Sequence, residues 1–161
     1  MSTVALLDGA RARLAAAPRE AIGELREPRR VLGIGRAPRV VRRGTAWHIG
    51  VLLLTDEAVL ATGEIIRARQ EAPRGFSAES QRRRAELAGA ARRGGFAEGE
   101  PVHIGWTVLD ADAVDRGGAS GPLALRAGVP SVRWSAAGGY IALAAYLDER
   151  IELLLAPPAG A

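Results

Sequence analysis

Cysteine, lysine and asparagine do not occur in this chain of 161 residues, so all 22 of its basic residues are arginine. Without cysteine there is no thiolate nucleophile and no thiolate metal ligand. Without lysine there is no Schiff-base amine and no phosphate-loop lysine. Aromatic residues make up 4% of the chain and form no recognised RNA- or DNA-binding motif. Long apolar runs are missing as well. Nothing approaches the roughly 18 uncharged apolar residues of a membrane span, and the N-terminus lacks the basic region and apolar block of a secretion signal. A cytoplasmic protein with no membrane partner is the expectation, and zero cysteines fit it.

The same absences have a genomic source, because lysine and asparagine codons are rich in A and T while those of alanine, arginine, glycine and proline are rich in G and C. The pI near 10.8 follows from arginine's very high pKa, since the formal net charge is only +4. With 48% hydrophobic residues the chain can bury a real core, and its length predicts one domain over residues 1–161.

The hydrophobic spacing predicts an α+β fold. Ser2 and Thr3 cap an opening helix within residues 1–18 that carries Val4, Leu7 and Leu14 and stops before Pro18. A short helical turn is expected around Ile22 and Leu25. Residues 31–135 read as a mainly antiparallel sheet or roll. Residues 46–54 form a central strand covered on both faces, and 59–62 and 64–69 are further strands in a meander too tight for crossover helices. A helix interrupts the sheet at 77–93, with Ser77 as N-cap, a Glu79–Arg83 pair, and Arg92 and Arg93 at the negative end of its dipole. Residues 101–109 return to strand, 110–115 make a turn or cap, and 123–126 with 131–134 make a hairpin. Ala144, Leu147, Ile151 and Leu154 place a closing helix at 142–155, before Pro157 and Pro158. The helix at 77–93 and the two terminal helices cover the sheet. His48-Ile49-Gly50 recurs as His103-Ile104-Gly105, a hint of two matched strands.

His48 and His103 are the only histidines, the residue type whose unperturbed pKa lies near neutrality, and a general acid or base is sought there first, although their apolar strands favour a structural role. Ser120 lies in Gly-Ala-Ser-Gly-Pro, near the nucleophile-elbow pattern but with proline where the second glycine belongs, which reads as a surface turn. Asp110, Asp112 and Asp115 lack the glycine and distal glutamate of a calcium loop and read as helix caps. No metal or cofactor is expected. Charge is distributed unevenly: residues 19–43 hold eight arginines against three acids, 67–93 hold eight against three, and 94–161 hold four against eight. Arg42, Arg43, Arg82, Arg83 and Arg84 are therefore binding candidates, their planar forks suiting carboxylate or phosphate. Trp47, Trp106 and Trp134 fall on expected strands as core residues, with Trp106 and Trp134 as anchors if exposed beside the basic face.

Residues 30–56, with Gly-Ile-Gly-Arg-Ala-Pro and Trp-His-Ile-Gly-Val-Leu-Leu-Leu, together with 79–96, 118–139 and 146–158, resemble a family of small proteins from high-GC bacteria. Some members of that family carry the label glutaminase. A hydrolase using His48 or His103 with nearby acidic residues is the alternative that goes with that label. A serine-type glutaminase needs Ser-x-x-Lys and an amidotransferase glutaminase needs cysteine, and neither set exists here. The function the residues favour is a non-catalytic interaction or ligand-binding module with an arginine-rich surface. Its partner is an acidic protein or a second copy of the chain, ahead of a nucleic acid.

Overall fold

The computed structural model describes residues 1–28, 32–70 and 78–160. In chain order they form α1 (Thr3–Leu14), β1 (Glu20–Arg26), β2 (Arg39–Ile49), β3 (Leu52–Leu54), β4 (Val59–Ala61) and β5 (Glu64–Arg67). Next come α2 (Glu79–Arg93), β6 (Pro101–Ile104), β7 (Thr107–Val108), α3 (Ala111–Asp115) and β8 (Ala119–Ser120). β9 (Leu123–Arg126), β10 (Val129–Arg133), β11 (Tyr140–Ala142) and α4 (Leu143–Leu155) complete the order. The class is α+β, with open and mostly antiparallel sheets, as the tight strand spacing implies. No described helix is long and apolar enough to cross a membrane.

Two compact units are interleaved in sequence. Met1–Arg19, Ala46–Thr62 and Thr107–Ala161 make the first, and Glu20–Thr45 with Gly63–Trp106 makes the second. Each closes over its own hydrophobic core.

In the first unit α1 starts where the sequence places it. The Ser2 hydroxyl accepts from the Ala5 N–H, and the Asp115 carboxylate accepts from the N–H groups of Thr3 at 2.6 Å and Val4 at 3.1 Å. Three donors that a helix start leaves open are thereby satisfied. The helix buries Leu7, Ala10 and Leu14, while Val4 is only half-buried. The run at 46–54 is not one strand. β2 ends at Ile49, Gly50 turns with φ +69°, and β3 runs back with Leu54 opposite Trp47 and Leu52 opposite Ile49. β4 and β7 extend this ladder, Leu53 facing Leu60 and Leu60 facing Val108. A left-handed glycine inside an apolar run is what separates a hairpin from a single strand here.

A second sheet in that unit has the order β11-β10-β9-β8. Its β9–β10 hairpin turns on Ala127 and Gly128, both with positive φ, the geometry a two-residue hairpin needs. On α4 the inward face is Leu143, Tyr146, Leu147 and Ile151, whereas Ala144 points out. The Tyr146 hydroxyl donates to the Ile49 carbonyl at 2.9 Å and accepts from the Val51 N–H at 2.8 Å, which ties the helix to the Gly50 turn.

The second unit departs further from the sequence expectation. Residues 20–26 form β1 rather than a helical turn, because Ala21, Ile22 and Gly23 are buried in a sheet ordered β5-β6-β1 with residues 39–45 of β2 next. β1 and β6 run parallel, with Ala21 opposite Val102 and Ile22 opposite His103, so the sheet is not wholly antiparallel. Helix α2 packs Leu87, Ala90 and Ala91 into a core with Ile66, Phe96 and Val102. The expected cap Ser77 lies outside the described residues. Ala78 stands at the N-cap with no side-chain bond. The expected Glu79–Arg83 pair is replaced by Glu79 with Arg82 at 3.5 Å and by Arg83 with Glu64 at 3.0 Å. The expected strand 101–109 breaks after Ile104 at Gly105, whose φ of +67° nearly equals that of Gly50. Both His-Ile-Gly segments thus end a strand on a left-handed glycine.

Candidate interaction surface

Charge follows the division into units. The second unit contains fifteen of the arginines against nine acids, and the first contains seven against nine. Apart from Arg19, both basic segments therefore belong to the same unit. Within it residues 26–43 carry seven arginines and a single glutamate.

Many of these guanidinium groups are already paired. Arg42 donates through Nη2 to both oxygens of Glu100 at 3.1 and 2.9 Å and stacks over the Phe96 ring at 4.3 Å. The Ala97 amide, joined by Arg42, outweighs desolvation and holds the Glu100 carboxyl below its ordinary range. Arg43 reaches Glu24 at 2.6 Å, and Arg26 shares that carboxylate at 3.8 Å. Arg92 lies 3.4 Å from Glu98 and donates to the Phe96 carbonyl. Arg93 donates to the Pro38 carbonyl at 2.8 Å. Exposed pairs of this kind contribute little stability, about 0–1 kcal/mol each. Their effect is to orient guanidinium planes while leaving other N–H donors outward. Among the described residues of this unit Arg36, Arg39, Arg67, Arg69 and Arg84 stand exposed with no ion pair. Arg36 and Arg39 escape a reading that looks only for doublets and triplets, although the density of arginine in 26–43 is countable.

The tryptophans do not behave alike. Trp47 is buried, with its indole N–H 3.3 Å from the Ala17 carbonyl and the Arg19 guanidinium 3.8 Å over its ring. Arg19 is itself forked onto Asp56, which raises the arginine's pKa and lowers that of the carboxyl. Trp106 lies outside the strands, half-buried, and donates to the Gly23 carbonyl at 2.9 Å. Trp134 follows β10 and is 47% exposed, so it is not a core residue; it belongs to the first unit, whereas the arginine-rich segments belong to the second.

The histidines serve two different local structures. His48 in the first unit sits opposite Leu53, its Nε2 3.0 Å from the Gly50 carbonyl. His103 in the second unit is fully buried on β6 and bonds through Nε2 to the Glu20 carboxylate, which starts β1. The parallel register Ile22–His103 brings that acid to the ring, a pairing invisible at a separation of 83 residues. Glu20 and His103 are metal-type donors, and a carboxylate against a ring nitrogen fixes the imidazole's orientation.

Ser120 ends β8, where its hydroxyl accepts from the Asp110 N–H at 2.9 Å. The Asp110 carboxylate in turn caps α3 by accepting from the Ala113 N–H. Ser120 thus belongs to a backbone-holding pair, and the strand that follows it is not the helix of a nucleophile elbow. It also touches a cleft of about 500 Å³ in the first unit. Leu7, Val59 and Leu109 give that cleft apolar walls. Its charged lining is Asp8, Glu57, Asp110 and Asp112 against Arg11. Arg11 is held by Asp8 at 2.7 Å and by the Thr55 carbonyl at 2.8 Å, so the cleft presents an excess of negative charge. In sequence the aspartates at 110 and 112 read only as caps; the acids from α1 and from the β3–β4 turn join them through the fold.

The chain matches no protein-family model, no curated protein and no solved structure.

Proposed function

We propose that this protein is a small, non-catalytic interaction module of the cytoplasm that docks through its arginine-rich second unit onto a carboxylate-rich protein surface. The observation that carries the reading is the stretch 26–43, with seven arginines against one glutamate, in which Arg36 and Arg39 stand exposed and outside any described ion pair. Arginine suits this task because its fork donates to two carboxylate oxygens at once and it is weakly hydrated. Glutamates 24, 64, 79, 98 and 100 lie among the other arginines of the unit, and a nucleic-acid backbone would bring phosphates onto them. A protein face can answer both signs.

Binding of fluorescein-labelled poly-glutamate and of a short DNA duplex, followed by anisotropy over a salt series, tests this. The reading expects poly-glutamate to bind with an affinity that falls as salt rises, and to bind more tightly than the duplex at equal charge. Absence of poly-glutamate binding at low salt contradicts it, and a clear preference for the duplex moves the partner to nucleic acid.

A further inference from the structure

Two apolar side chains in the arginine-rich stretch point into water. Leu32 is 95% exposed and Ile34 is 83% exposed, on the connection between β1 and β2. They lie on a turn made by consecutive left-handed residues, Leu32 at φ +55° and Gly33 at φ +74°. A leucine adopts that backbone only at a cost, and it gains no burial in exchange. Arg36 and Arg39 follow immediately, and Arg29 and Arg30 precede in sequence. The turn therefore offers an apolar tip within an arginine-rich stretch of the sequence.

The cleft of the first unit has the opposite character. Its walls are aliphatic, Leu7, Val59 and Leu109, with Val108 exposed beside them. Its rim carries Glu57, Asp110 and Asp112 beyond the Asp8–Arg11 pair. At about 500 Å³ it has room for two branched aliphatic side chains and a guanidinium. We propose that the turn at 32–34 of one molecule docks into this cleft of a second copy of the chain, with Leu32 and Ile34 against the aliphatic walls and Arg36 on the rim carboxylates. The proposal rests on the docking role of the arginine-rich unit and names its partner.

The occupant follows from complementarity of both apolar character and charge. A nucleic acid would leave Leu32 and Ile34 in water, and poly-carboxylate alone gives them no walls. Because turn and cleft are different surfaces, a single contact is head-to-tail and leaves a free cleft on the molecule whose turn is docked and a free turn on its partner. Association is then weak, dependent on concentration, and reduced by salt.

Complementary variants test this. One carries Arg36→Glu and Arg39→Glu and keeps its cleft. The other carries Glu57→Arg and Asp112→Arg, two exposed acids whose side chains hold no described hydrogen bond, and keeps its turn. Light scattering across a concentration series at low salt is the readout, with circular dichroism confirming that each variant is folded. The wild-type chain is expected to gain mass with concentration and each variant alone to remain a monomer. An equimolar mixture of the two is expected to form dimers and nothing larger. Leu32→Ser with Ile34→Ser in the wild-type background is expected to weaken association by about tenfold per side chain. A wild-type chain that stays monomeric at every concentration overturns the proposal. So does a mixture that stays monomeric, or either variant associating as strongly as wild type. If the wild-type chain is monomeric yet binds poly-glutamate, the docking role stands and only the second copy is removed; if it does neither, both fall.

Discussion

Replacing Tyr146 with phenylalanine removes one oxygen from the buried core of the first unit. Tyr146 is 1% exposed, and its hydroxyl satisfies two backbone groups at once, the Ile49 carbonyl and the Val51 N–H. Phenylalanine keeps the ring and abandons both groups. A buried polar group left without a partner costs about 1–3 kcal/mol, and the Val51 side of the turn is half-buried, so the loss is about 2–3 kcal/mol in all. For a chain of this length that lowers Tm by roughly 5–10 °C. Urea unfolding should show a lower midpoint with an unchanged slope, because the surface exposed on unfolding is the same. Tyr140→Phe, at an exposed position, is the control and should change stability by less than about 0.5 kcal/mol. Gly50 sharpens the test. A Cβ there would fall on the Tyr146 hydroxyl, and its φ of +69° is left-handed, so Gly50→Ala destabilises for two reasons. In the Tyr146→Phe background the first reason is reduced to a 3.1 Å approach to the ring, and Gly50→Ala should cost less than in wild type, a coupling that a double-mutant cycle measures. Wild-type stability for Tyr146→Phe, or strict additivity with Gly50→Ala, would refute the reasoning.

Burial raises the Tyr146 phenol's pKa above its ordinary value, against the opposing hydrogen bond from Val51 and the charge of Arg150. The folded state therefore holds this proton more tightly than the unfolded one. Its contribution is complete below about pH 10 and is lost as pH rises through the folded pKa, so alkaline melts of Tyr146→Phe should fall less steeply than those of wild type. Asp115 behaves in the opposite sense. Desolvation would raise its pKa, but its bonds to Thr3 and the Val4 amide prevail and lower it, giving stability that is present above about pH 4 and lost as pH falls. Asp115→Asn should cost about 1 kcal/mol at neutral pH and flatten the acid limb of a pH–stability curve; an unchanged acid limb contradicts the capping role. In the second unit, a Cβ on Gly94 would meet the Val40 carbonyl, backbone that cannot rotate away. Gly94→Ala should lower stability by about 1–3 kcal/mol by chemical denaturation, and a neutral result would show that α2 can move off β2.

Helices are the most legible part of the sequence because their signals are local. Ser2, the helical spacing of Val4, Leu7 and Leu14, and the prolines at 18, 157 and 158 bound α1 and α4 without reference to the rest of the chain. Strands are illegible where the decisive fact is a distant partner. Ile22 and Leu25 are three residues apart, which imitates a helix turn, and only the parallel ladder to Val102 and His103 makes 20–26 a strand. The run 46–54 is divided by one glycine whose conformation apolarity does not reveal, although the repeated His-Ile-Gly already points to it. Charge is legible as a count but not as a surface. Glu100 lies 58 residues from Arg42, so the pairing that orients this arginine is written only in the fold. The cleft is illegible for the same reason, since α1, the β3–β4 turn and the start of α3 each contribute one or two acids.

The most direct measurement compares two charge reversals of equal size. Arg36→Glu with Arg39→Glu lies in the second unit, and Arg116→Glu with Arg126→Glu lies in the first. Both change the net charge identically, so any effect of overall charge on poly-glutamate affinity is the same for the two. The account predicts that the first pair reduces affinity at least tenfold more than the second, at the same salt concentration. Equal losses would mean that net charge alone governs binding and that the arginine-rich unit presents no specific surface.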